Sequence, residues 1–226
     1  MDDIEGRTKK VVIIGTGHVF NLRDKVRTII HDVEPQAVCV ELDEGRYEAL
    51  FHGRGRSFHP LALLQALMAT IYGTVPGNDM LGGIEGARDI GAELFLIDKD
   101  IRVIKRGLRQ AFISEILNPV EIARKLVRFP PIALSRPRAM LNFEDSVKEF
   151  EKDPERYRDL LGKSFPRIRK VLLDDRERYM AIRVKGILER FDDIAIVTGA
   201  GHVVGLQGLL SDYDVRVFSL TTLLGG

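Results

Sequence analysis

The chain is poor in several things that would narrow its function quickly. It has one cysteine, Cys39, set in the apolar run Ala37-Val38-Cys39-Val40. One thiol excludes an intrachain disulfide and a CxxC metal site. It points to a reducing compartment, with Cys39 itself read as a small buried hydrophobe. Charge of one sign is also lacking. The sequence holds 34 Lys and Arg against 33 Asp and Glu, so overall charge selects no partner and no specific nucleic acid is expected. No apolar run is long enough for a membrane span of about 20 residues; the longest apolar-rich stretch is 60–73. The start, Met1-Asp2-Asp3-Ile4-Glu5-Gly6, is acidic and polar, unlike a signal peptide. Together these absences predict a soluble chain in the cytoplasm or at the cytoplasmic face of a membrane. No P-loop, HExxH, GxSxG or EF-hand pattern is present.

What is there is an alternation of buried strands and helices. Val11-Val12-Ile13-Ile14 stops at Gly15-Thr16-Gly17, and a β-branched run ended by glycine reads as a strand buried on both faces. Helical spacing follows over 22–33 until Pro35, and a second buried strand is expected over 37–42. That is a βαβ unit, for which a right-handed parallel crossover is the default. Further strands are expected over 93–97, 193–198 and 215–220. Helices are expected over 46–50, 60–71, 80–90 (closed by Gly91), 101–117 and 120–127, and a long one over 168–190 after a charged helical stretch from Phe143. The fold class is therefore α/β: a central, mostly parallel sheet of about five or more strands with helices on both faces. One domain, 1–226, is expected, with a charged helical insertion over about 101–190. From Arg102 to Arg138 nine basic residues face two acidic ones, Glu115 and Glu121. This stretch suits either a solvated helical face or a contact with an anionic membrane surface.

One local plan occurs twice. Val11 to His18 and Ile194 to His202 each run from a buried strand through a Gly-x-Gly-His turn into a helix. In open α/β sheets ligands sit beyond the carboxyl ends of strands, so His18 and His202 would face one cleft. The second strand ends at Glu41-Leu42-Asp43, and a buried Glu must be paired or bound to a cation. Two His and one carboxylate suffice as protein ligands for a catalytic divalent metal. The plain alternative is a pair of satisfied core histidines. Thr198-Gly199-Ala200-Gly201 also fits a nucleotide-binding glycine loop. Only 21 residues follow Gly205, though, and the first copy lacks a third glycine, which argues against a dinucleotide fold.

The motifs carry a family resemblance. Gly15-Thr16-Gly17-His18-Val19, Val40-Glu41-Leu42-Asp43 with Arg46, Glu85 with Ala87 and Gly91, Leu96-Ile97-Asp98-Lys99-Asp100-Ile101, Asp175-Arg176-Glu177-Arg178-Tyr179-Met180-Ala181 and Gly199-Ala200-Gly201-His202 stand in one order. That order resembles the TraB/PrgY family, in a superfamily with Tiki-type proteases, erythromycin esterase-like and haem-binding ChaN-like proteins. Lys99, Asp175 and Glu177 depart from the family pattern while keeping charge. Many members also carry a membrane-spanning C-terminal region, which this sequence does not show.

The resemblance implies a metal-dependent, peptidase-like hydrolase that acts on or inactivates a small peptide signal. His18, His202 and Glu41 would hold Mn, Co or Zn. Glu41 and Glu85 would serve as carboxylate catalysts, with Arg46 and Arg176 orienting carboxylates or stabilising an oxyanion. The turns Gly15, Thr16, Gly17, Gly199, Ala200 and Gly201 would line the ligand. The alternatives are a module that sequesters a peptide or small-molecule ligand without chemistry, a haem- or metal-carrying protein, and a homo-oligomeric or membrane-surface regulatory domain using 102–138.

Overall fold

The β-branched runs form strands that alternate cleanly between two apolar layers. The structure, a computed structural model, describes residues 8–17, 21–52, 78–115 and 154–225. In chain order the elements are β1 (Lys10–Thr16), α1 (Arg23–Val33), β2 (Ala37–Val40), α2 (Glu44–His52), α3 (Asn78–Ile90), β3 (Glu93–Leu96) and α4 (Ile101–Glu115). Then come α5 (Pro154–Ser164), α6 (Pro166–Arg169), a π-helical turn (Lys170–Asp174), α7 (Asp175–Leu188), β4 (Asp193–Gly199), α8 (Ala200–Leu209), β5 (Asp214–Phe218) and α9 (Leu220–Gly225). The expected helices over 60–71 and 120–127 and the charged stretch from Phe143 to Asp153 lie outside the described residues.

The sheet has five strands in the order β3-β2-β4-β1-β5, and every pairing is parallel. Because side chains alternate along a strand, Val12, Ile14, Val38, Val40, Ala195 and Val197 turn to one face, where α1, α3 and α9 cover them. Val11, Ile13, Ala37, Cys39, Ile194 and Ile196 turn to the other, under α7 and α8. The expectation of helices on both faces of a parallel sheet holds. A third apolar cluster joins α4, α5, α6 and the π turn through Ile104, Ala111, Leu161, Ile168, Leu172 and Leu173. This welds part of the inserted helices to the segment that leads into α7.

Several boundaries differ from the sequence reading, each for a local reason. Gly15 and Thr16 do not end β1; they continue its ladder, opposite Thr198 and Gly199 of β4. The second strand ends at Val40 rather than Leu42, since the amide of Leu42 turns back to the carbonyl of Val40 at 2.8 Å. The segment Gly199-Ala200-Gly201 is not a three-residue turn. Gly199 is extended and α8 begins directly at Ala200. The long helix expected over 168–190 is continuous but contains the π turn, a feature often associated with functional sites. Gly91 does close α3, with φ +71, a left-handed conformation that glycine adopts without a Cβ penalty.

α1 and α3 pack closely because α3 presents glycines. A Cβ on Gly82 would overlap the carbonyl of Arg23, and one on Gly86 would press on Ile30 at 3.0 Å. The close packing brings the first turn of α3, with Asp79, to the carboxyl end of β1. Among the described residues no helix is long and apolar enough to cross a membrane.

Candidate functional site

The carboxyl ends of β1, β2, β3 and β4 gather an unusual density of buried polar side chains. Thr16, Glu41, Arg46, Asp79, Asp98, Arg176, Glu177, Thr198 and His202 are each at most 5% exposed, and Asp43 is nearly so. Charged groups at this depth persist only when paired.

Glu41, the first residue beyond β2, sits at the centre. Its Oε2 accepts the hydroxyl of Thr198 at 2.5 Å and the amide of Gly199 at 2.7 Å, and its Oε1 accepts Nη2 of Arg176. Arg176 comes from the first turn of α7 and is wholly buried. It also donates Nε and Nη2 to Asp98, just beyond β3. Burial would lower the Arg176 pKa, but Asp98 and Glu41 outweigh it and raise it above the ordinary arginine value. Burial likewise pushes the Asp98 carboxyl up, and Arg176 and Arg46 overcome that, holding it well below the usual carboxylate range. Arg46 extends the chain of charges, donating to Asp98 at 2.5 Å and to Asp43 at 3.0 Å. Asp43 also accepts the amides of Arg46 and Ile101, so it caps the start of α2 and fastens that of α4.

His202 lies in the first turn of α8. Its Nδ1 faces Glu177 Oε1 at 3.2 Å. Its Nε2 faces Glu41 Oε1 at 3.4 Å, an ion-pair distance, and makes no hydrogen bond among the described residues. Glu177, next to Arg176 on α7, accepts both guanidinium nitrogens of Arg158 from α5, at 2.5 and 2.7 Å. Burial raises the Glu177 pKa, but the bonds from Arg158 and His202 outweigh it and bring it to about 2. On the other side of the sheet, Thr16 at the end of β1 donates to Asp79 of α3.

The expected site residues separate into groups. Glu41, Arg46, Arg176 and His202 are brought together, with Thr16, Gly199, Ala200 and Gly201 on the adjoining strand ends and helix start. His18 lies outside the described residues; the preceding Gly17 is buried at the end of β1. Glu85 is not brought to this cluster. It lies on the outer side of α3, where its carboxylate holds Arg23 of α1 in a two-pronged pair, and the Arg23 bond lowers its pKa. Gly15 has a packing reason of its own: a Cβ there would meet Val203 at 2.6 Å. Asp79 and Arg158 were not foreseen, and nothing in their local sequence marks them; Thr198 stood only in the glycine-loop match that was argued against. Asp98 and Glu177 stood in the motif blocks without an assigned part. Among the described residues no three His, Cys, Asp or Glu side chains converge as a metal cage.

Residues 134–218, which contain Arg158, Arg176, Glu177 and His202, match the TraB/PrgY/gumN family. The chain is also 28% identical over 222 residues to the uncharacterized protein MJ1365 of Methanocaldococcus jannaschii, a match covering 90% of this chain and 54% of that protein. It therefore spans about half the length of the curated relative it matches. The family matched at 134–218 is the one that the spaced motifs resemble.

Proposed function

We propose that this chain is a metal-dependent, hydrolase-like domain that holds a divalent cation at the carboxyl edge of its sheet and acts on a small peptide. The observation that carries the reading is His202. Its Nε2 is buried and has no hydrogen bond among the described residues, while its Nδ1 is engaged by a carboxylate. A buried ring nitrogen left without a partner is costly in a purely structural histidine. With the second nitrogen bound to a carboxylate, it is the usual disposition of a metal-ligating histidine.

His202 and His18 would hold the cation, and Glu41 fits as a third ligand. A carboxylate oxygen accepts about two bonds. Both positions on Glu41 Oε2 are taken, by Thr198 and Gly199, whereas among the described residues Oε1 accepts from Arg176 alone and faces His202 with the remainder. Held by three donors, Glu41 suits a ligand better than a proton carrier. A bound cation would supply hydroxide near neutral pH by lowering the pKa of its water. Arg176 and Arg46 spread and balance the charge of Glu41, Asp98 and Asp43. The ground for a peptide as substrate is the family resemblance alone.

One observation favours a second reading, a module that sequesters its ligand without chemistry. Arg46 and Arg176 are spent on internal carboxylates rather than aimed at a developing oxyanion. A peptide-library screen with Mn²⁺, Co²⁺ or Zn²⁺ separates the two. Cleavage that disappears in His202→Ala supports the hydrolase. Binding with no cleavage under any of the three ions overturns it in favour of the sequestering module.

A further inference from the structure

Glu177 meets His202 through a fitted contact, and two local features make it. The first is Gly205, three residues after His202 on the same side of α8. A Cβ at this position would overlap the Glu177 carboxylate, so only glycine leaves room for it. The second is Arg158, which grips both Glu177 oxygens and also reaches the carbonyl of Gly201, the residue before His202, at 3.3 Å. Arg158 belongs to α5, within the inserted helices, and the π turn lies just ahead of α7.

We propose that Glu177 is a positioning residue for His202: it accepts the Nδ1 proton, fixes that tautomer, and leaves the Nε2 lone pair facing Glu41 for a cation, with Arg158 and Gly205 holding Glu177 in place. The inference rests on the metal-site reading above. A neutral imidazole carries one N–H, and whichever nitrogen donates leaves the other as the acceptor. Both Glu177, paired with Arg158, and Glu41 can only accept, but the ring makes its hydrogen bond to Glu177 through Nδ1 and none to Glu41 through Nε2, and this geometry points to the proton on Nδ1. Arg158 thereby ties the geometry of the strand-end site to a helix of the insertion, so a ligand that displaced α5 would release the histidine.

The test uses metal-free protein with nitrogen-15 in its histidine rings. Long-range proton–nitrogen NMR at neutral pH reads the tautomer of His202 directly. Wild type is expected to show Nδ1–H with an unprotonated Nε2. In Glu177→Gln the amide can turn its NH₂ toward Nδ1, so the Nδ1–H signature is expected to be lost and Co²⁺ affinity to fall by about 10- to 100-fold. Gly205→Ala, which alters no titratable group, is expected to act the same way by displacing the carboxylate. A wild-type His202 carrying its proton on Nε2, or on both nitrogens, overturns the proposal without any variant having to fold. So does Nδ1–H that persists in Glu177→Gln. Loss of Nδ1–H in Glu177→Gln, with no Co²⁺ bound by wild type, upholds the positioning role and removes the metal reading.

Discussion

Replacing Arg176 by Met should cost about 3 kcal/mol of stability. The methionine matches much of the aliphatic stem and removes only the guanidinium. That leaves Glu41 and Asp98 both fully buried, each having lost its bonds to Arg176. Breaking a buried ion pair on one side typically costs about 3–5 kcal/mol. Here the lower end applies, because Glu41 keeps Thr198 and Gly199 and Asp98 keeps Arg46. With a urea dependence of roughly 2–3 kcal/mol per molar for a chain of this size, about 3 kcal/mol lowers the unfolding midpoint by about 1 M. The assay is urea unfolding followed by far-UV circular dichroism at neutral pH. The same substitution in a Glu41→Gln background should cost at least about 1 kcal/mol less, since one orphaned charge is gone. A midpoint shift below about 0.3 M, or strict additivity of the two changes, would refute the view that these charges are held dry and paired.

Three further outcomes follow from packing and charge. Gly82→Ala should destabilise by about 1–3 kcal/mol, read as a lower melting temperature, because its methyl would overlap the Arg23 carbonyl and force α1 from α3. Glu177 titrates near 2 when folded against about 4.3 in the unfolded chain. Its contribution is therefore complete above pH of about 4.3 and is lost as pH falls through that value toward 2. Urea midpoints should fall more steeply over that window in wild type than in Glu177→Gln, and equal slopes would contradict the assignment. Cys39, whose thiol burial pushes up to about 12, should resist a thiol-specific reagent at pH of about 8 and react fully once the chain is unfolded.

The sheet was legible because its strands are short β-branched runs with glycine or charge at their ends, and a parallel sheet covered on both faces requires continuous apolar strands. The doubled Gly-x-Gly-His plan led to the carboxyl edge, and Glu41 was identifiable as a buried glutamate needing a partner. The partner's contacts were not legible. Arg176 reaches Glu41 across 135 positions of sequence, and only the approach of α7 to that edge of the sheet makes them neighbours. Glu85 misled for the converse reason: its motif is intact, but the glycine face of α3 is the one that packs, which turns the carboxylate outward to Arg23. Asp79, six residues earlier on the same helix, reaches the strand ends instead. The first strand runs past its expected end because Gly15, read as a turn signal, is tolerated inside a ladder where Val203 leaves no room for a Cβ.

The central claim is that His202 is a metal ligand, and metal content tests it most directly. Purified protein, dialysed and then offered Mn²⁺, Co²⁺ and Zn²⁺ in turn, is analysed by mass spectrometry beside His18→Ala and His202→Ala. The account predicts close to one ion per wild-type chain and a large loss in each variant, with all three proteins folded by circular dichroism. Metal-free wild type after every addition, or an equal load in His202→Ala, would contradict it.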